Sequence, residues 1–430
     1  MPVQVRYLTL MNKIKYQTVK GMRDFYPEIW TTQLWLSNIF LNTGRLFGYS
    51  EYEAPVLENI NLYLDKSSQE LLEKQTFIVN DRGGDRLVLR PELTPSLARL
   101  IVAQENELSF PLRWQSWGRF WRYEQPQRGR GREFFQWNID LIGIDSPEAD
   151  AEILTIAATV FQTLGISPSD VQIRLSDRQA LQKYLSEKLS LDQNQYKTLL
   201  QAIDKINKMD TKVFGEWLQD LGFSQKQISQ LPSLLANPPT NFSPRLNTTL
   251  SLIPNDLKDF FTIDLKIVRG LDYYTGLVFE AWATTSTLKR ALFGGGRYNN
   301  LTQQVGGQKN LPGVGFAIGD MAILEFFKDL NKLPSINSNP SSIFVTTFSP
   351  DTYQNSLDLV NFLRKNRVNA TLNLDPNLKL GQQFKYASKN NSKYVVVLGP
   401  EEIAKNQISL KNLYTGEQKI LSQDDLLSIL

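Results

Sequence analysis

The sequence predicts an α+β fold in three parts: paired strands with one polar face, a helical module set between them, and a C-terminal α/β region. Three observations carry this. Residues 119–143, RFWRYEQPQRGRGREFFQWNIDLIG, read as a hairpin: 119–123 alternates basic with aromatic residues, 134–142 alternates apolar residues with Gln136, Asn138 and Asp140, and 125–131 supplies the turn. From 177 to about 236, Leu, Gln, Lys and Asp recur at helical spacing. Beyond 332–342, KLPSINSNPSS, which has a linker's composition, the runs SIFVTTF, VNATLNL and KYVVVLG alternate with helical stretches at 350–365 and 380–388, as βαβ units do.

The elements follow in chain order. Residues 19–28, VKGMRDFYPE, form a turn-rich lead-in to a helix at 30–47. Residues 49–59 read as a strand that Pro55 pushes to a sheet edge, open either to a dimer partner or to solvent. Strands at 76–80 and 86–90 flank the turn DRGGD. In RPELTPSLAR, 90–99, a strand end passes into a helix that Thr94 caps, with Pro95 in the first position, and Glu92 and Thr94 sit where binding groups often sit. An amphipathic helix at 147–164 and a short strand at 171–175 precede the helical module, whose lysines read as a solvated face. Two strands in IDLKIVRGLDYYTGLVFEA, 263–281, flank the turn 270–276 and put Arg269, Asp272, Tyr273 and Tyr274 at a strand-to-turn junction. FGGGRYNN (293–300) and GVGFAIGD (313–320) read as glycine-rich backbone leading into a helix, a layout suited to close ligand approach.

Composition narrows the chemistry. With 430 residues the chain builds an ample core, and 47 basic against 44 acidic residues argue against a wholly electrostatic nucleic-acid binder. No run approaches a membrane span and the N-terminus lacks a secretory apolar core, so a cytosolic protein without a membrane partner is expected. Zero cysteines and zero histidines exclude thiolate and imidazole catalysis and ligation. Any metal is then oxygen-bound, which favours Mg2+ carried in with phosphate. The hairpin loop holds Arg128, Arg130 and Arg132 interleaved with Gly129 and Gly131: guanidinium groups bind phosphate in bidentate fashion, and glycines let the backbone approach. A solvated basic hairpin is the plain alternative. Against it stands the strand face beside the arginines, with two amides and a carboxylate suited to a small polar molecule next to a polyphosphate.

These stretches together resemble the histidyl-tRNA synthetases, class II aminoacyl-tRNA synthetases, from VKGMRDFYPE almost to the C-terminus, and RGLDYYTGLVFE is the most specific piece. The resemblance implies a class II antiparallel sheet flanked by helices, the first class motif at 49–58 on a homodimer interface, and the 119–143 hairpin as the second. It implies a catalytic domain split into 1–170 and 256–331 around a helical insertion at 171–255, a linker at 332–342 and an anticodon-binding domain at 343–430. The family's ATP-binding positions fall on Arg122, Arg130, Phe134 and Arg269, with Arg122 and Arg269 also catalytic and Arg269 acting on the carboxylate and α-phosphate. Its histidine-contacting positions fall on Glu92, Thr94, Gln136, Asp140, Tyr273 and Tyr274, and its tRNA-reading loop glutamine on Gln127. L-Histidine, ATP with Mg2+ and tRNA(His) are the implied partners, with no protein-bound metal. Two departures stand out: Ala322 occupies the place of the third motif's arginine, and Asp140 that of a glutamate in many bacterial members. Besides the ligase, two alternatives fit such a chain: a histidine-sensing paralogue that regulates ATP phosphoribosyltransferase, and a structural RNA-binding dimer.

Overall fold

The computed structural model describes residues 16–64, 75–206, 209–269, 273–288, 290–339 and 341–429. Asp272 of the strand-to-turn junction therefore lies outside the described residues. The chain divides into two compact units, one drawn mainly from Gln33–Leu333 and the other mainly from Pro334–Leu430.

In the larger unit the strands are β1 (Ser50–Glu51), β2 (Leu57–Asn59), β3 (Phe77–Asn80), β4 (Arg86–Leu89), β5 (Leu112–Trp121), β6 (Glu133–Ile142), β7 (Val171–Asp177), β8 (Phe261–Ile263), β9 (Leu277–Ala283), β10 (Ala291–Tyr298) and β11 (Gly313–Gly319). Eight of them form one sheet in the order β1-β5-β6-β11-β10-β9-β7-β8, antiparallel except at its two outermost pairs. β2, β4 and β3 form a separate antiparallel sheet. The fold is α+β, a largely antiparallel sheet flanked by helices.

Period-2 alternation in β6 decides which face is which. Trp137, Ile139 and Leu141 are buried in the main core with Phe279, Phe316 and the helix Pro147–Thr163, whose Ile153, Ile156, Ala157 and Val160 are fully buried. Gln136, Asn138 and Asp140 point to the other face. At about 25 cal/mol per Å2 of apolar surface, this two-sided division fixes the register, because a one-residue slip would exchange the faces. The helices Arg178–Leu189, Gln193–Ile203, Thr211–Asp220 and Gln225–Ala236 pack around their own apolar cluster, in which Leu181, Leu185, Leu199 and Leu218 are buried.

The smaller unit contains β12 (Ile343–Val345), β13 (Ala370–Leu372), β14 (Tyr394–Val397), β15 (Ile408–Asn412) and β16 (Gln418–Leu421) in the order β13-β12-β14-β15-β16. β12 pairs in parallel with β13 and β14, the βαβ arrangement, and the antiparallel β15 and β16 extend the sheet beyond it.

Several local expectations need correction. Residues 49–59 are not one strand: β1 and β2 belong to different sheets, with the N–H-less Pro55 between them. Thr94 does not cap its helix. Leu93 holds the cap position of Thr94–Ala103 without a side-chain bond, and Thr94 instead acts on the Tyr273 phenol, lowering its pKa against the larger rise from burial. The strand entering the 270–276 turn stops at Ile263, because Asp264 accepts from the Lys266 and Ile267 backbone N–H groups and turns the chain. The glycine-rich backbone Gly294–Gly296 is an interior stretch of β10.

One buried carboxylate ties three segments together. Asp320, fully buried at the start of the helix Asp320–Asp329, accepts from Arg23 Nη2 at 2.7 Å, Gln33 Nε2 at 2.6 Å and the Phe135 N–H at 3.0 Å. Replacing it with alanine removes the buried acceptor that these three donors share. Asp320→Ala is therefore expected to lower unfolding stability by about 3 kcal/mol, read from the denaturation midpoint at unchanged m-value.

Candidate active site

A row of missing side chains opens the polar face of the sheet. In register across it, Asp140 pairs with Gly315, Asn138 with Ala317 and Gln136 with Gly319, while Gly315 and Ala317 pair in turn with Gly296 and Gly294. A Cβ at Gly294 would lie 1.3 Å from Arg269 Nη1, one at Gly296 2.7 Å from Tyr274 Cδ1, and one at Gly315 2.2 Å from Asp140 Oδ1. Only glycine leaves room for these three groups to lie over the strands. Arg269 reaches its place from a backbone with φ of +52°, an uncommon conformation for a residue with a side chain.

The result is a cavity of about 710 Å3 lined by Glu92, Thr94, Arg122, Arg130, Phe134, Gln136, Asp140, Arg269, Tyr273 and Tyr274. All ten positions that the sequence assigns to histidine or ATP thus face one space. Gln127 does not line it: that residue is exposed at the loop tip, bridged through its backbone to Arg130.

One end is an acidic and phenolic box. Asp140 is buried and accepts a 2.5 Å hydrogen bond from the Tyr298 hydroxyl. Burial pushes its carboxyl up to about 7, and the Tyr298 bond only partly offsets this. The Tyr273 hydroxyl donates to Glu92 Oε2 at 3.3 Å, and its ring lies 4.8 Å from that of Tyr274. Gln136 donates to Asn138 Oδ1 at 3.2 Å, which leaves Gln136 Oε1 and Asn138 Nδ2 buried without partners. An acceptor and a donor left open on the cavity side are what a small polar ligand would satisfy.

The other end is cationic. Arg122 donates through Nε to the Pro91 carbonyl at 2.9 Å, with its guanidinium 5.3 Å from the Phe134 ring centre. Arg130 is paired with Glu124 at 2.5 Å. Arg269 stands between the ends, 3.6 Å from Glu280 and 5.6 Å from the Tyr274 ring centre, with its Nε buried and unpartnered. Of the three loop arginines only Arg130 lines the cavity. Arg128 is bound to Glu325, Asp329 and Thr287, and Arg132 lies against the Tyr123 ring.

The family profile for histidyl-tRNA synthetase matches residues 21–323, and an anticodon binding domain profile matches 342–430. The chain belongs to the histidyl-tRNA synthetase family. These are aminoacyl-tRNA ligases. The histidine–tRNA ligase of Opitutus terrae is 36% identical over 421 residues, covering 93% of this chain and 94% of that one. Among solved structures, histidyl-tRNA synthetase from Nostoc sp. PCC 7120 shares the fold with a TM-score of 0.82 at 23% identity, over 97% of this chain and 99% of that one. A Bacillus halodurans chain described as an ATP phosphoribosyltransferase regulatory subunit/histidyl-tRNA synthetase superposes with a TM-score of 0.71 at 21% identity, over 87% of this chain and 96% of that one.

Within this family member the sequence reading missed Tyr298, Glu280 and Arg290, all of which line the cavity. Tyr298 was legible in principle: it shares strand parity with Gly294 and Gly296, so it faces the cavity once GGGRY is taken as a strand. No helix of the described residues is long and apolar enough to cross a membrane.

Asp140 carries a pH signature. Its carboxyl lies at about 7 in the folded chain against an ordinary 3.8, so the stability from holding it neutral is complete below 3.8 and is lost as pH rises toward 7. Asp140→Asn is permanently neutral. The ligand-free variant is expected to gain on the parent in melting temperature between pH 3.8 and about 7 and to hold a constant lead above that. A pH-independent difference would show that the carboxyl is not perturbed.

Proposed function

We propose that the chain joins L-histidine to tRNA(His) in two steps, forming histidyl adenylate from ATP and then transferring the histidyl group to the tRNA. The observation that carries this is the shared cavity, with Asp140 and phenols at one end, guanidinium groups at the other and Arg269 between them.

In this reading the imidazole sits in the box. Its ring N–H groups donate to Asp140 and to the Tyr273 hydroxyl, with Glu92 and Thr94 orienting that phenol. Gln136 and Asn138 use their unpaired atoms on the amino acid. Arg269 holds the ligand carboxylate against the α-phosphate, and Phe134 and Arg122 hold adenine and phosphate. A carboxylate oxygen attacks the α-phosphorus in line, the bond to the β-phosphate oxygen breaks, and pyrophosphate leaves. A ribose hydroxyl of the tRNA's terminal adenosine then attacks the adenylate carbonyl, its proton is lost, and AMP departs. The guanidinium groups offset charge on the phosphate oxygens in the first step.

Magnesium fits as part of the nucleotide substrate. The described residues contain no group of three or more metal-ligating side chains, and at the cationic end Glu124 and Glu280 stand beside Arg130 and Arg269. Exposed Gln127 suits contact with the tRNA acceptor end, the smaller unit suits the anticodon, and the edge strand β1 suits a homodimer contact in a cytosolic enzyme. The second reading, a histidine-sensing regulator, draws on the likeness to the Bacillus halodurans chain. It needs only the box end of the cavity, and the anticodon-domain profile over 342–430 speaks against it.

Histidine-dependent exchange of pyrophosphate into ATP tests the proposal. Arg269→Ala is expected to lower the exchange rate about a hundredfold or more while the protein remains folded. An undiminished rate would remove Arg269 from the chemistry. Parent protein that binds histidine yet exchanges no pyrophosphate would leave the sensor reading instead.

A further inference from the structure

The cationic end holds one guanidinium that neither the sequence motifs nor the mechanism above uses. Arg290, just before β10, lines the cavity with Arg122 and Arg130. Its Nη1 donates to the Gly129 carbonyl at 2.7 Å, while its Nε is buried without an acceptor. Among the described residues no carboxylate forms an ion pair with it, since Glu124 is taken by Arg130. Burial, together with repulsion from Arg130 and Arg122, pulls its guanidinium down to about 10. Three guanidinium groups thus share one carboxylate, an arrangement unfavourable in the empty protein and relieved by a polyanion. Arg290 and Ala322 both lie beside Gly129: a Cβ built there would be 3.5 Å from Ala322 Cα and 3.6 Å from Arg290 Cδ.

We propose that Arg290, reaching the cavity from the β9–β10 connection, is a nucleotide-binding residue that takes the triphosphate together with Arg122 and Arg130. The inference rests on the ATP reading above and deepens it. Arg290 acts on the phosphates and leaves the histidine box untouched, so its loss separates the two substrates. It also carries a cost in the empty protein, so its removal should not destabilise the fold.

The test uses the full chain with Arg290→Met, and Arg290→Lys as the variant that keeps the charge. MgATP binding is measured directly by calorimetry, and exchange kinetics give separate KM values for ATP and histidine. For Arg290→Met the dissociation constant and KM for ATP are expected to rise about ten- to a hundredfold. The histidine KM should stay within about twofold, and the ligand-free melting temperature should be equal or higher. Arg290→Lys should fall between parent and Arg290→Met in ATP affinity. Unchanged ATP affinity in Arg290→Met would overturn the proposal, as would a lowered ligand-free melting temperature with equal losses for both substrates. If the parent binds MgATP without exchanging pyrophosphate, the ligase reading fails while the Arg290 result still stands or falls by the binding data.

Discussion

The cavity exists because three strand positions lack side chains at the points where polar groups from elsewhere must lie over the sheet. Gly294, Gly296 and Gly315 neighbour one another across β10 and β11, and each makes room for a different group: Arg269, Tyr274 and Asp140. A methyl at any of them would meet a heavy atom closer than packed carbon tolerates, and the displaced group would be one that faces the cavity. Strand pairing supplies the rest. Once β6 commits Trp137 and Ile139 to the core, Gln136, Asn138 and Asp140 must appear beside the glycines, and Tyr298 arrives by the same parity. Packing on one face of the sheet therefore positions chemistry on the other.

Within that space the fold separates two kinds of electrostatic stress. At one end a carboxyl is desolvated until its neutral and ionised forms are close to balance near pH 7. At the other, guanidinium groups crowd together with too few carboxylates. A positively charged ring would relieve the first and a polyphosphate the second, so in the proposed reaction both substrates would bind where the empty protein is least comfortable. The helical module is not remote from this: Asp204, just beyond the helix Gln193–Ile203, lines the same cavity and adds to the charge around Arg269.

What the sequence made legible was governed by period and polarity. The hairpin, its turn and the faces of β6 follow from alternation, and so do the parallel strands of the smaller unit. Signals that depend on a distant partner were misread. Thr94 is a good cap by type, but a phenol far along the chain claims its hydroxyl. Arg128 and Arg132 look like phosphate ligands beside Arg130, but carboxylates on the helix Asp320–Asp329 and the Tyr123 ring hold them elsewhere. Glycines at 294–296 did not read as strand because local propensity penalises glycine there, and no local term registers how much space a neighbouring arginine requires. Arg290 had no motif around it at all, and its meaning appears only when its lack of a carboxylate is seen beside Arg122 and Arg130.

The division of the cavity also bears on which reading the chain favours. A protein that only sensed histidine would draw its affinity from Asp140, the phenols and the two amides. For such a protein the guanidinium groups at the far end would bring desolvation and mutual repulsion that Glu124, paired with Arg130, offsets only in part. The same groups would become favourable once a triphosphate entered, because each buried donor would then gain a charged acceptor. Arg269 extends the argument, since its unpartnered Nε and its place between the two ends serve no ligand that stops at the imidazole box. The cationic end is therefore the part of the structure that distinguishes joining two substrates from recognising one.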